Sequence, residues 1–199
     1  MVSSRFKKMF EEMVASSVAP LASLGLTPNT LTVMGLAASV AAAWCYVNWS
    51  SNPVLLPAAA TLVLLSGLLD AFDGVLARKT GTVTRFGGFF DSVADRYSDA
   101  VVLGAISVSG LCNPLWGMAA LIGSLMVSYA RARAEAAGVA MIAVGFAERA
   151  ERMILLVAVT LGAYYRIEVL GYGIMVLALI ANLTVVQRVA HFMGEVKKA

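Results

Sequence analysis

Apolar residues fall into six long blocks along the chain, at about 30–49, 54–77, 88–110, 114–136, 150–166 and 169–190. Each is close to the ~20 residues that carry a helix across a bilayer core. Between the blocks lie turn-forming stretches: SSNP at 50–53, KTGT at 79–82, CNP at 112–114, the run from Gly138 to Gly145, and YRIEVLGYG at 165–173. Ahead of the first block, residues 4–19 mix apolar and charged positions at helical spacing. Phe6, Met9, Phe10 and Met13 share one face, and Arg5, Lys7, Lys8, Glu11 and Glu12 fall elsewhere. The pattern predicts an all-α integral membrane protein: six transmembrane helices behind an N-terminal amphipathic helix lying in the membrane interface. No repeat or low-complexity linker breaks the pattern, and residues 1–199 read as one domain. MVSSRFKKMFEEMV lacks the long apolar core of a signal peptide.

Composition supports this reading. Of 199 residues, 60% are hydrophobic and only 14% charged, far from ordinary soluble proteins. The net charge of +3 is too small to suggest a nucleic-acid partner. Cys45 and Cys112 sit in or beside apolar segments at no metal or redox spacing. The positions of the charges matter more than their sum. Arg5, Lys7, Lys8, Arg78, Lys79, Arg85, Arg131, Arg133, Arg149, Arg152, Arg188, Lys197 and Lys198 all fall on one side of the expected membrane. Only Arg166 falls on the other. The positive-inside rule then puts both termini in the cytoplasm, as an even number of spans also requires. Trp44, Trp49 and Trp116 lie near the outer ends of spans, as interface anchors do; His191 reads as an interfacial residue and Tyr129 as packing.

Against this background the acidic residues of 70–99 stand out. Asp70 and Asp73 are three apart, and Asp91, Asp95 and Asp99 recur every four. Each set occupies one face of its helix. A bare carboxylate in or near hydrocarbon costs roughly 2–4 kcal/mol, so something must compensate it. Arg96 is the one basic residue embedded among them in sequence. One or two divalent cations are the simpler answer, and an all-oxygen donor set favours Mg²⁺, Mn²⁺ or Ca²⁺ over zinc. Gly74, Ala77, Gly87 and Gly88 keep the surroundings free of bulk, for close helix packing or for a nucleotide against the backbone.

The string Asp70-x2-Asp73-Gly74-x2-Ala77-Arg78-x8-Gly87-x3-Asp91-x3-Asp95 resembles, at every fixed position and gap, the signature of the CDP-alcohol phosphotransferases. The six spans and the short N-terminal helix also resemble that family. The resemblance implies transfer of a substituted phosphate from a CDP-linked molecule to an alcohol, with release of CMP. It implies that Asp70, Asp73 and Asp91 bind a pair of metal ions, Mg²⁺ or Mn²⁺ in its place. Asp95 would stand at the metals and act as general base. Asp70, Gly74, Ala77, Arg78 and Gly87 would receive the nucleotide, with Asn29 and Thr32 of the PNTLT stretch and Thr84 beside it. Homodimers are expected from the same likeness.

The acceptor is suggested by arginines. SYARARAE (128–135), FAERAER (146–152) and Arg188 bring five arginines from three helices towards the aspartates, and guanidinium forks suit a phosphate. The ARAE…ERAER pattern also resembles the phosphatidylinositol-phosphate synthases of actinobacteria and the archaetidylinositol-phosphate synthases of archaea. That likeness implies inositol phosphate as acceptor, bound by Ser128, Arg131, Arg133, Arg149, Arg152 and Arg188. The lipid would be CDP-diacylglycerol or CDP-archaeol, met at the cytoplasmic face of the plasma membrane. Glycerol phosphate is the rival acceptor, unphosphorylated inositol another. An intramembrane prenyltransferase would space its aspartates differently. An ion carrier would spread its acids through the membrane depth, whereas these lie towards one side.

Overall fold

The computed structural model describes residues 25–141 and 144–198. The amphipathic segment expected at 4–19, with Arg5, Lys7 and Lys8, lies outside them. Six α-helices make up the described chain: α1 (Pro28–Val47), α2 (Leu55–Thr80), α3 (Arg85–Val108), α4 (Pro114–Ala136), α5 (Arg149–Ala163) and α6 (Glu168–Val196). Each corresponds to one of the six apolar blocks. Among the described residues, α1, α2, α4 and α6 are long and apolar enough to cross a membrane. The α3 helix carries Asp91, Asp95, Arg96 and Asp99, and α5 has only 15 residues.

Local chemistry, rather than hydropathy, sets the helix ends. Thr27 caps α1 by accepting the Thr30 N–H, with Pro28 in the first turn. Gly81 closes α2 at φ 68°, a left-handed conformation, with Arg78 and Lys79 in the last turn. Thr84 accepts the Gly87 N–H at 2.9 Å and starts α3 at residue 85, three residues before the apolar block begins. Asn113 caps α4 through the Leu115 N–H. Glu148 and Glu151 begin α5: the Glu148 N–H donates to the Glu151 carboxylate at 2.7 Å. Glu151 therefore serves the helix end, and the arginines beside it turn inward.

The bundle is held by small residues and a few interhelical hydrogen bonds. α1 packs on α2 and α3, α4 on α3 and α6, and α5 on α2 and α6. Gly35 lets α1 approach α2, where Ser39 and Ser66 hydrogen-bond at 2.8 Å. At the end away from the aspartates, Tyr46 and Thr160 join α1 to α5 at 2.7 Å among fully buried Ala42, Ala59, Ile106, Leu170 and Ile174. Trp44 and Trp116 remain exposed, whereas Trp49 packs against the core and donates its indole N–H to the Ser109 carbonyl. Val33, Val40, Leu64, Ile122, Leu179 and Val186 line the exposed surface, as lipid-facing side chains would.

Candidate active site

Three layers meet where α2 and α3 face each other: a cavity, a carboxylate pocket, and arginines from α5. The cavity, about 540 Å³, is bounded by the start of α1, the end of α2 and the start of α3. Seven of the eight residues expected at a nucleotide line it: Asn29, Thr32, Gly74, Ala77, Arg78, Thr84 and Gly87. The eighth, Asp70, lies one helical turn deeper, in the carboxylate pocket. A Cβ at Gly87 would stand 3.0 Å from Thr84 Oγ1 and 3.4 Å from Asn29 Oδ1, so a side chain there would press on both. Val83 forms part of the rim, and Val83, Phe86 and Phe89 are all about two-thirds exposed. Phe86 stacks on Phe90.

The carboxylates follow directly. Asp73 and Asp91 line both the cavity and the pocket containing Asp70 and Asp95. One oxygen each from Asp70, Asp91 and Asp95 lies within 4.8 Å of the others, a grouping that could hold a divalent cation. Asp73 stands beside this trio rather than within it. It is buried, and Thr32 donates a 2.6 Å hydrogen bond to its Oδ2. Asp91 Oδ1 is buried without a hydrogen-bond partner among the described residues. A buried lone carboxylate oxygen is costly unless a cation satisfies it. The residues present therefore fit a divalent ion.

The embedded basic group is not the one the sequence suggests. Arg96 turns back to the Ser92 carbonyl at 2.6 Å and reaches Asp95 only at 3.8 Å. Arg149, from the first turn of α5, occupies the acid pocket instead. Its Nη1 lies 3.1 Å from Asp70 Oδ2 and 2.9 Å from Asp95 Oδ1, and its Nε lies 3.2 Å from Asp99 Oδ1. Arg152, buried one turn further on, donates to the Ala147 carbonyl at 3.1 Å and stands 3.9 Å from Asp99.

A model of the CDP-alcohol phosphatidyltransferase family matches residues 25–186, most of the chain. The protein belongs to the CDP-alcohol phosphatidyltransferase family. Among its relatives is the archaetidylinositol phosphate synthase of Pyrococcus horikoshii, 43% identical over 169 residues, 85% of each chain. The phosphatidylinositol phosphate synthase of Mycobacterium tuberculosis is 36% identical over 146 residues, 66% of this chain and 61% of that one. A crystal structure of the mycobacterial enzyme with manganese and citrate superposes with a TM-score of 0.79 at 31% identity, covering 90% of this chain and 88% of that one. Another, with CDP-DAG bound, gives 0.77 at 31% identity, covering 91% and 94%. The chain is thus a multi-pass membrane transferase.

For this CDP-alcohol phosphatidyltransferase the arginines expected to bind the acceptor divide into groups. Arg149 and Arg152 border a small cavity of about 40 Å³ together with Ser98, Asp99 and Ser124. Arg188 is buried and donates from Nε to the Val144 carbonyl at 3.0 Å and from Nη1 to the Val127 carbonyl at 2.6 Å. Arg131 and Arg152 both lie within electrostatic reach of it. Arg131 is half exposed and paired with Glu135 at 2.9 Å. Arg133 is exposed, and Ser128 is half-buried. Asp99 escaped assignment, although its place four residues beyond Asp95 put it on the acidic face. The insertion of Arg149 gave no such signal, because its three partners lie between 50 and 79 residues earlier in the chain.

Proposed function

We propose that this enzyme transfers the phosphatidyl-type group of a CDP-lipid, CDP-diacylglycerol or CDP-archaeol, to inositol phosphate and releases CMP. The observation that carries the reading is the shared wall between the cavity and the carboxylate pocket, where Asp73 and Asp91 border both. A diphosphate whose cytidine filled the cavity would place its charge against those carboxylates. Synthases of archaetidylinositol phosphate, matched over most of this chain, support the acceptor. The whole of 1–199 is proposed as one such domain.

Asp70, Asp73, Asp91 and Asp95 would hold Mg²⁺, as a pair of ions, with Mn²⁺ able to replace it. When bound, such ions supply positive charge that neutralises the diphosphate and the departing CMP. The chain's own groups do the rest. Asn29, Thr32, Gly74, Ala77, Arg78, Thr84 and Gly87 seat the nucleotide. Asp95 accepts the proton of the acceptor hydroxyl. The hydroxyl oxygen then forms a bond to the lipid-side phosphorus. The bond from that phosphorus to the CMP oxygen breaks, and CMP leaves with the electron pair. Arg131, Arg133, Arg149, Arg152, Arg188 and Ser128 provide donors for the acceptor's own phosphate. We further assign α3 and α5 as spans, both termini and the site to the cytoplasmic face of the plasma membrane, and a homodimeric assembly.

CMP release by purified protein, with a CDP-lipid and a panel of acceptors, tests the reading. Inositol phosphate should be used at the highest kcat/KM, and chelation should stop the reaction until Mg²⁺ or Mn²⁺ is restored. Faster use of glycerol phosphate or free inositol would overturn the acceptor assignment.

A further inference from the structure

The Arg149 guanidinium contacts two of the three carboxylates that approach one another as metal ligands. One Nη1 atom bridges Asp70 Oδ2 and Asp95 Oδ1, on different helices. Its Nε is held separately by Asp99, which is not among the three grouped carboxylates. The side chain is only 21% exposed, so these pairs are poorly screened by water. Arginine and ion thus draw on the same two carboxylates, Asp70 and Asp95. Charge sets the two against each other, since a dication and a guanidinium repel at such separations.

We infer that Arg149 and the divalent ion are alternative occupants of the acid pocket, and that Asp99 is the tether that keeps Arg149 at hand when the ion enters. Without the ion, Arg149 neutralises Asp70 and Asp95 and holds α2, α3 and α5 together. When the ion binds, Nη1 is displaced while Nε stays on Asp99. The freed N–H donors then sit beside buried Arg152, on the side of the pocket where Ser98 and Ser124 border the small cavity. Metal loading would thereby supply an additional donor for an incoming phosphate. Asp99 is a positioning residue here, acting through Arg149. The inference rests on the metal pocket proposed above and adds a competitor for it.

The test is Mn²⁺ binding to metal-stripped enzyme in detergent, without substrates, read as a dissociation constant by electron paramagnetic resonance. Arg149→Gln should tighten Mn²⁺ binding by about fivefold or more, the lower range of typical coupling between sites. Arg152→Gln removes a nearby charge that touches neither Asp70 nor Asp95, and should change it much less. Unchanged or weaker binding in Arg149→Gln overturns the inference, as does an equal effect from Arg152→Gln, which would reflect the general field alone. Modification of the wild-type protein by phenylglyoxal, mapped by mass spectrometry, asks the same question without a substitution. Mn²⁺ should raise the reactivity of Arg149, and no rise overturns the exchange. Failure of the wild type to bind Mn²⁺ at all would sink the metal pocket itself, an outcome distinct from these.

Discussion

Asp73 shows how a single side chain is prepared for its place. It sits buried between cavity and pocket, and the Thr32 hydroxyl fixes one oxygen, leaving the other side of the carboxylate uncommitted to that bond. Asp95, by contrast, meets Arg149 in the acid pocket. If Asp95 accepts the hydroxyl proton, Asp95→Asn should lower turnover about 10²–10⁴-fold. Nucleotide affinity, measured with CMP at saturating Mg²⁺, should stay within about twofold, since Asp95 is not in the nucleotide cavity lining. Substantial remaining turnover would remove it as the base. Gly87→Ala probes the cavity wall. The added methyl presses on Thr84 Oγ1, which is already committed to capping α3. Loss of that cap costs on the order of 1 kcal/mol, so the Tm in detergent should fall; because Gly87 lines the cavity, the KM for CDP-lipid should rise with kcat little changed.

At the scale of elements, the sequence was most informative where chemistry is local. Asp70 and Asp73 on α2, and Asp91 and Asp95 on α3, could be placed on shared faces because spacings of three and four are helical geometry. The ends of the helices were less legible. Hydropathy placed the third block at residue 88, whereas the Thr84 cap begins α3 at Arg85; hydropathy carried the fifth block to 166, whereas α5 stops at Ala163. The α4–α5 connection was legible as a turn-forming run from Gly138 to Gly145. Its character is tertiary: Met141 is buried, and Arg152 and Arg188 hold the Ala147 and Val144 carbonyls. Gly145 lies in this connection at φ 124°, facing Thr184 so closely that a Cβ would stand 3.5 Å from the threonine Cβ and nearer still to its methyl. Gly145→Ala should therefore cost about 1–3 kcal/mol, seen as a lower Tm in detergent. It should also raise the KM for inositol phosphate more than that for CDP-lipid, because Arg188 loses its neighbouring anchor.

For the whole molecule, the open question of the six spans becomes one of topology. Gly81 and its neighbours join α2 to α3, and Tyr165, which is 84% exposed, lies between α5 and α6. Six crossings put these two connections on opposite sides of the membrane. Native Cys45 and Cys112 are buried, so single cysteines introduced as Thr82→Cys and Tyr165→Cys can be read separately. In inside-out vesicles a membrane-impermeant maleimide should label the first and not the second; labelling of both would refute six crossings. The bundle also differs from end to end: Tyr46, Thr160 and fully buried alanines close one end, and the other holds the cavity.

The rim of that cavity has a consequence for traffic. Val83 lines the cavity, and Phe86 and Phe89 are exposed in the first turns of α3, next in sequence to the lining residues Gly87 and Gly88; together they offer an oily threshold near the nucleotide seat. A donor with two long tails can slide across such a threshold sideways, its tails never leaving hydrocarbon. It thereby avoids an extraction cost of about 0.8 kcal/mol for every methylene wetted. The sugar phosphate, with no tails, has no use for that doorway and arrives from water. On the proposed chemistry the two reactants would approach by separate routes.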